Sequence, residues 1–266
     1  MKYMGSKSRV AKYIVPILQQ CIDDNSAFTY IEPFSGGLNV IDKIRCEHRY
    51  AYDINKYLIA LWLHLKNGGR LLNEVSRELY SEVRANYQSG CYEDWYVGNI
   101  DFLASYNGRW FDSGYAQPGY EKTKNGMRYR DYYKEASNNI LKQLINVTDV
   151  KLEVKDYRNL NPSGAVIYCD PPYQGAKQYA NSVNFNYDEF WDIIRKWSKN
   201  NFVFVSELDA PDDFQCIWEQ EVSRSIKAAD KSKAVEKLFK TKTEKRVARL
   251  YVVCILPPPD KIQILR

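Results

Sequence analysis

Ala165-Val166-Ile167-Tyr168-Cys169, followed at once by Asp170-Pro171-Pro172-Tyr173, is the stretch that decides the fold. The first five residues are apolar, short and rich in strand formers, and Gly164 precedes them, so they read as a buried strand. Two prolines then forbid further strand or helix. An acid, a rigid turn and an aromatic ring are thereby held at the carboxyl end of a strand, where open α/β sheets bind their ligands. A carboxylate beside a main-chain carbonyl can accept both protons of an exocyclic amine, and the ring can stack on the base that carries it. Methylation of a nucleobase amine needs those groups. Taken alone, the same four residues equally suit a proline turn with a capping Asp.

Working outward, residues 29–31 read as a short strand running into Glu32-Pro33-Phe34-Ser35-Gly36-Gly37. Residues 38–44 read as helical, and residues 49–52 as a second strand ending at Asp53. Strand, glycine turn, helix, strand and acid form a βαβ nucleotide-binding layout. Residues 8–21 read as an amphipathic helix with Pro16 inside it, and 57–65, 71–87, 132–145 and 187–199 as further helices. Strands are expected at 150–154, 202–205 and 247–256. From 91 to about 130 no period holds beyond a short helix near 101–105, which predicts a loop-rich or hairpin insertion. The α/β alternation is broken between about 56 and 139, so 1–56 with 140–266 read as one domain and 57–139 as an insertion.

A chain of 266 residues with 45% apolar and 27% charged content can form a large core and does not read as a membrane protein. Met1-Lys2-Tyr3-Met4-Gly5 carries no apolar signal region. The six cysteines are scattered without a Cys-x-x-Cys, and His48 and His64 are the two histidines, so no zinc site and a reducing cytoplasmic setting are expected. A net charge of +5 suits a polyanionic partner. Its distribution says more: Arg109, Lys122, Lys124, Arg128 and Arg130 interleave with Tyr106, Trp110, Phe111, Tyr115, Tyr120 and Tyr129, and a second basic stretch runs over 227–249. Tyrosines can stack on bases, although most of them serve to join core to water.

The smaller motifs are weak singly. Phe34-Ser35-Gly36-Gly37 lets a ligand come close to the backbone. Asp53 sits where an acid bonds ribose hydroxyls, or where it caps the helix that follows. Asp156 ends a third strand and by itself reads as a solvated acid. Tyr3-Met4-Gly5-Ser6-Lys7 is a compact turn whose lysine and following helix can hold an anion, though the spacing is not that of a P-loop.

In order, these pieces are Gly5-Ser6-Lys7, Glu32-Pro33-Phe34-Ser35-Gly36-Gly37, Asp53-Ile54-Asn55, a long insertion, Asp156-Tyr157 and Asp170-Pro171-Pro172-Tyr173. That order resembles the Dam-like, alpha-class DNA adenine methyltransferases over nearly the whole chain. Ser105-Tyr106-Asn107-Gly108-Arg109 is similar to that family's recognition loop, and Val205-Ser206-Glu207 through Phe214 and Val235-Glu236-Lys237-Leu238-Phe239 to segments of some phage-type members. One departure is Leu38, where the family often has a second glycine.

The resemblance implies an α/β fold: a Rossmann-like S-adenosylmethionine-dependent methyltransferase sheet with an inserted, mostly helical and loop-rich DNA-recognition domain. It implies S-adenosylmethionine as donor, held by Tyr3, Gly5, Lys7, Glu32, Pro33, Phe34, Ser35, Gly36, Gly37, Asp53, Ile54, Asp156 and Tyr157. Asp53 would bind the ribose and the Asp156 region the donor's adenine. Asp170, Pro171, Pro172 and Tyr173 would hold the target amine and base. Double-stranded DNA would be the partner, met by Asn107, Arg109, Gln117, Lys122, Lys124, Arg128, Arg130, Lys231 and Lys233. A monomeric, cytoplasmic enzyme of bacterial or phage origin is expected, without a metal and without a stable complex with any cognate restriction endonuclease. Cytosine N4 or RNA as target, and a non-catalytic DNA-binding protein on the same fold, are the alternatives. A nicotinamide oxidoreductase is disfavoured, because the glycine turn is not a full dinucleotide fingerprint and Asp170 would go unexplained.

Overall fold

The computed structural model describes residues 1–123, 126–175, 185–223 and 233–242, with the side chains of 222, 223, 233 and 234 excepted. The strands are β1 (Thr29–Glu32), β2 (His48–Asp53), β3 (Gly119–Thr123), β4 (Gly126–Arg130), β5 (Lys151–Val154), β6 (Val166–Cys169), β7 (Phe202–Glu207), β8 (Phe214–Ser223) and β9 (Lys233–Thr241). Seven of them form one sheet in the order β5-β2-β1-β6-β7-β9-β8, while β3 and β4 form a separate hairpin. β5, β2, β1, β6 and β7 run parallel, and β9 runs antiparallel to both β7 and β8. The helices are α1 (Ala11–Asn25), α2 (Lys56–Lys66), α3 (Arg77–Asn86), α4 (Asp94–Ala104), α5 (Tyr132–Leu144) and α6 (Tyr187–Trp197). None of the described helices is long and apolar enough to cross a membrane.

β6 is apolar without a break because both of its faces are covered. Val166 and Tyr168 join a core with α1, α2, α4 and α5, whereas Ile167 and Cys169 join a second core under α6. The sequence of α6 supplies that cover. Phe190, Trp191, Ile194 and Trp197 fall on one face and are buried, each contributing about 1.5–3 kcal/mol. Asn186 caps the helix by accepting from the Glu189 N–H at 3.1 Å.

Chain order from β1 goes out through β2 to β5, then returns to β6 on the other side of β1. The gap beyond the carboxyl ends of β1 and β6 is therefore the topological switch point, where such sheets leave a crevice. The expected strand at 247–256 lies outside the described residues.

Three expected elements differ. Residues 38–44 do not form a helix; Ile41–Lys43 makes a single 3-10 turn. The buried guanidinium of Arg49 on β2 donates to the Ile41 and Ile44 carbonyls at 2.8 and 3.0 Å, and Leu38 is left-handed at φ 56°. Residues 70–76 are likewise held out of α3. Asn99 Oδ1 accepts from the Leu72 N–H at 3.0 Å, Tyr133 Oη donates to the Leu72 carbonyl at 2.8 Å, and Ser76 caps the helix. Finally, the expected short helix near 101–105 is the end of the three-turn α4, buried on every side from Val97 to Ala104. A helix buried all round shows no 3.6-residue alternation, which is why the period was silent there. α2, α4 and α5 also share their buried cluster with α1 and the sheet.

Candidate active site

The parallel strands deliver acids to one edge. β1 ends in Glu32, β2 in Asp53 and β7 in Glu207; Asp170 follows β6. β9 enters the same edge from the opposite direction, with Lys237 paired to Glu207, so Glu236 arrives beside them. Lys7 crosses this acidic edge. Its Nζ lies 2.9 Å from Asp170 Oδ1 and 3.6 Å from Glu236 Oε2, and 4.5 Å above the Tyr173 ring. Tyr173 Oη donates to Glu236 Oε2 at 2.7 Å. Glu207 accepts from the Gln174 N–H at 2.6 Å and from the Leu208 N–H. Asp170, its aromatic neighbour and the loop beyond are thus fixed from three directions.

Burial pushes the Asp170 carboxyl up to about 6; Lys7 pulls it down and Glu236 pushes it up. Glu32 is deeper and is driven to about 8 by desolvation, against the Tyr30 hydroxyl that donates to it at 2.8 Å. Near neutral pH, Asp170 is mostly ionised and Glu32 mostly protonated.

The glycine turn is docked onto the end of β2. The Ser35 N–H donates to the Tyr52 carbonyl at 2.9 Å, and the Gly36 N–H to Asp53 Oδ2 at 2.9 Å. Asp53 also accepts from the Asn55 N–H at 2.9 Å. The helix cap is Asn55, which accepts from the Tyr57 and Leu58 N–H groups, so Asp53 does not cap α2. Desolvation raises Asp53 despite these bonds. At Gly36 a Cβ would meet the Tyr3 ring at 2.9 Å, so the missing side chain admits a residue of this chain. Leu38, the departure from the family pattern, keeps a left-handed backbone all the same. Gln143 of α5 holds it by donating to the Gly37 and Leu38 carbonyls at 3.0 and 2.9 Å.

Beside this turn the rings of Phe34, Tyr157, Phe185 and Phe190 pack together, Phe34 to Tyr157 at 4.9 Å between centroids. Phe34 and Phe185 are half-buried. Asp156 is engaged elsewhere: it caps the turn Tyr157–Asn159 and forks onto Arg158, which holds its carboxyl low. Pro33 and Pro171 are buried, Pro172 is half-buried and Ile54 is exposed. The Tyr3–Lys7 turn leads into a 3-10 turn, Lys7–Arg9, before α1. The anion that Lys7 meets is the protein's own Asp170 rather than one at the start of α1. Gly5 is left-handed at φ 77° and accepts from Lys7 Nζ at 3.4 Å.

The candidate DNA residues differ in exposure and in what holds them. Asn107 is exposed at φ 60° in the turn Tyr106–Gly108, and Lys122 and Arg128 are exposed on the hairpin. Arg130 is instead tied to Glu135 and Glu121 and lies over the Tyr132 ring, and Gln117 accepts from Arg77 at 3.0 Å. Arg109 is half-buried, with its Nε unpartnered. Asp101, buried in α4, holds this loop by accepting from the Phe111 N–H at 2.7 Å and the Ser105 hydroxyl at 3.1 Å. Lys124 and Lys231 lie outside the described residues, as does the Lys233 side chain.

Sequence reasoning missed Glu207, Glu236, Gln143 and Asp101 as members of the site or its supports. For Glu207 and Glu236 the signal was their segments' likeness to phage-type members; the pairing of β9 with β7 was not readable from it.

A family model for D12 class N6 adenine-specific DNA methyltransferases matches residues 3–251. No curated protein matches the chain. Solved structures that resemble it include a Thermoplasma acidophilum protein at 7% identity and TM-score 0.38, covering 87% of this chain and 89% of that one. A Pyrococcus horikoshii protein described as a candidate RNA methyltransferase has 7% identity and TM-score 0.38, over 88% of this chain and 84% of that one. A third, described as a candidate methyltransferase complexed with SAH, has 12% identity and TM-score 0.35, over 87% of this chain and 53% of that one.

Proposed function

Because the chain belongs to the D12 class N6 adenine-specific DNA methyltransferase family, we propose that it methylates the N6 amine of a flipped-out adenine in a specific double-stranded DNA sequence. The observation that carries this reading is the placement of Asp170 and Tyr173 at the switch point, beside a glycine turn docked on Asp53. Enzymes of this family use S-adenosylmethionine, and the residues present fit it. An edge lined by Asp53, Asp170, Glu207 and Glu236 suits a donor that carries ammonium and sulfonium charges. Ser35 Oγ is buried in the turn without a partner, ready for a polar group of the donor. The half-buried rings of Phe34 and Phe185 suit a purine face.

When bound, the donor supplies an electrophilic methyl whose S–C bond breaks as the amine nitrogen takes it. The protein's part is orientation and electrostatics. Asp170 and the Pro171 carbonyl accept the two N–H bonds of the target amine, which localises the nitrogen lone pair. A carboxylate offers about four acceptor sites, so the contact with Lys7 leaves room for the amine. With its pKa near 6, Asp170 can also receive the proton that the methylated nitrogen must lose, and pass it to water. Flipping the base costs a few kcal/mol, and stacking on Tyr173 returns about 1–3 kcal/mol of it. Segment 57–139 serves target recognition in this reading, through the exposed Asn107, Lys122 and Arg128.

The test is methyl transfer from labelled S-adenosylmethionine to unmethylated genomic DNA, followed by nucleoside analysis. Label in N6-methyladenine is expected, and Asp170→Ala is expected to abolish it while donor binding stays within a few-fold. Label in N4-methylcytosine would overturn the base assignment. Unchanged turnover in Asp170→Ala would overturn the role given to that carboxylate.

A further inference from the structure

We infer that Glu236 is a positioning residue of the methyl-transfer site: it sets the plane of the Tyr173 ring by accepting its hydroxyl, and it shares Lys7 with Asp170. The inference rests on the methyltransferase reading and deepens it.

The geometry is a closed loop of contacts. Tyr173 Oη meets Glu236 Oε2 at 2.7 Å, the same oxygen lies 3.6 Å from Lys7 Nζ, and Lys7 Nζ meets Asp170 at 2.9 Å while sitting 4.5 Å over the Tyr173 ring. The loop ties β9 to the turn after β6 and to the N-terminal turn. A Tyr ring used as a stacking platform has two soft torsions, and a bond at its far end removes that freedom. Glu236 draws part of the Lys7 charge away from Asp170, whose oxygens the target amine needs. Lys7 itself is 7% exposed, so its charge is not shared with bulk water. Glu207, one strand over, performs the matching task on the backbone by accepting from Gln174 N–H.

Several ionisable groups face Asp170: Lys7 from the N-terminal turn, Glu236 from β9, Glu32 from β1, Glu207 from β7, and Tyr168 and Tyr173 from its own strand and loop. Glu236 is among those that raise the Asp170 pKa. Its neutral replacement therefore lowers that pKa, and activity should persist to lower pH.

The experiment compares the wild type, Glu236→Leu, Tyr173→Phe and the double variant on an unmethylated duplex, and on a duplex with 2-aminopurine at the target position. Leu is close to Glu in size and offers no acceptor, and Tyr173→Phe removes the same bond from the other side should Glu236→Leu fail to fold. Glu236→Leu is expected to lower kcat/KM for DNA about tenfold, a loss of about 1.4 kcal/mol, with the donor dissociation constant within twofold. The fluorescence rise of 2-aminopurine should fall in parallel, and the acid limb of the pH profile should move to lower pH. In the Tyr173→Phe background the further loss should be under threefold. An active wild type matched by Glu236→Leu in rate and fluorescence overturns the inference. So does an equal tenfold loss in both backgrounds, since Glu236 would then act independently of Tyr173. A wild type that labels no DNA overturns the methyltransferase reading itself, and is told apart by that.

Discussion

Glu32 ends β1 with 3% of its surface exposed, and burial places its carboxyl near 8. An acid whose folded pKa is raised above about 4.5 binds protons more tightly in the folded state. Its stabilising contribution is full below that value and is lost as pH rises through 8. Glu32→Gln removes the cost of burying a charge while keeping an acceptor for the Tyr30 hydroxyl. Its melting temperature should therefore exceed the wild type's by more at pH 9 than at pH 5. A difference that does not grow with pH would show that Glu32 is not the group titrating. Identity and place in sequence marked Glu32 as a site residue; its protonation followed only from the depth at which Tyr30 and β6 bury it.

At the scale of an element, the turn Tyr106–Gly108 is pressed against the N-terminal segment. A Cβ on Gly108, which has φ 63°, would lie 2.4 Å from the Lys2 carbonyl oxygen. The same substitution at Gly114, with φ 78° and open space around it, meets nothing. Each variant pays a backbone strain of about 1–3 kcal/mol, but Gly108→Ala adds an overpacking term of roughly 1–3 kcal/mol. Denaturant unfolding should thus show Gly108→Ala to be the less stable by at least about 1 kcal/mol; equal losses would mean that the turn is not docked. The docking matters because the N-terminal segment also carries Tyr3 against Gly36 and Lys7 against Asp170. It mechanically joins the candidate recognition turn to the candidate active site.

Over the whole molecule, charge is segregated. Acids collect at the carboxyl edge of the sheet, while Lys122 and Arg128 stand exposed on the β3–β4 hairpin. Phosphate contacts make log K fall with log salt by about 0.9 per neutralised phosphate. Lys122→Ala and Arg128→Ala should each reduce that slope by up to about 0.9 in DNA-binding titrations. Arg130→Ala should leave it unchanged, because its guanidinium is already paired with Glu135 and Glu121, and should loosen the hairpin instead. A reduced slope in Arg130→Ala would show that it exchanges its carboxylates for phosphate. In the sequence these three basic residues were equivalent; the cross-strand register placing Glu121 opposite Arg128, next to Arg130, separates them.

The sequence by itself determined the strand at 165–169, the acid and rigid turn after it, the glycine turn and the order of the motifs. Each of these is written in local chemistry: apolar runs, proline's fixed φ and glycine's missing Cβ. It did not determine the switch point, which depends on the order of strands far apart in the chain. It showed only the end of α4, whose burial on all sides erases periodicity, and it missed the loop at 38–44, whose carbonyls are claimed by Arg49 of the next strand. The loop of contacts through Lys7, Asp170, Tyr173 and Glu236 was decided only by the tertiary structure. It joins residues up to 229 positions apart in the numbering, 236 less 7, and nothing local in either segment specifies the other.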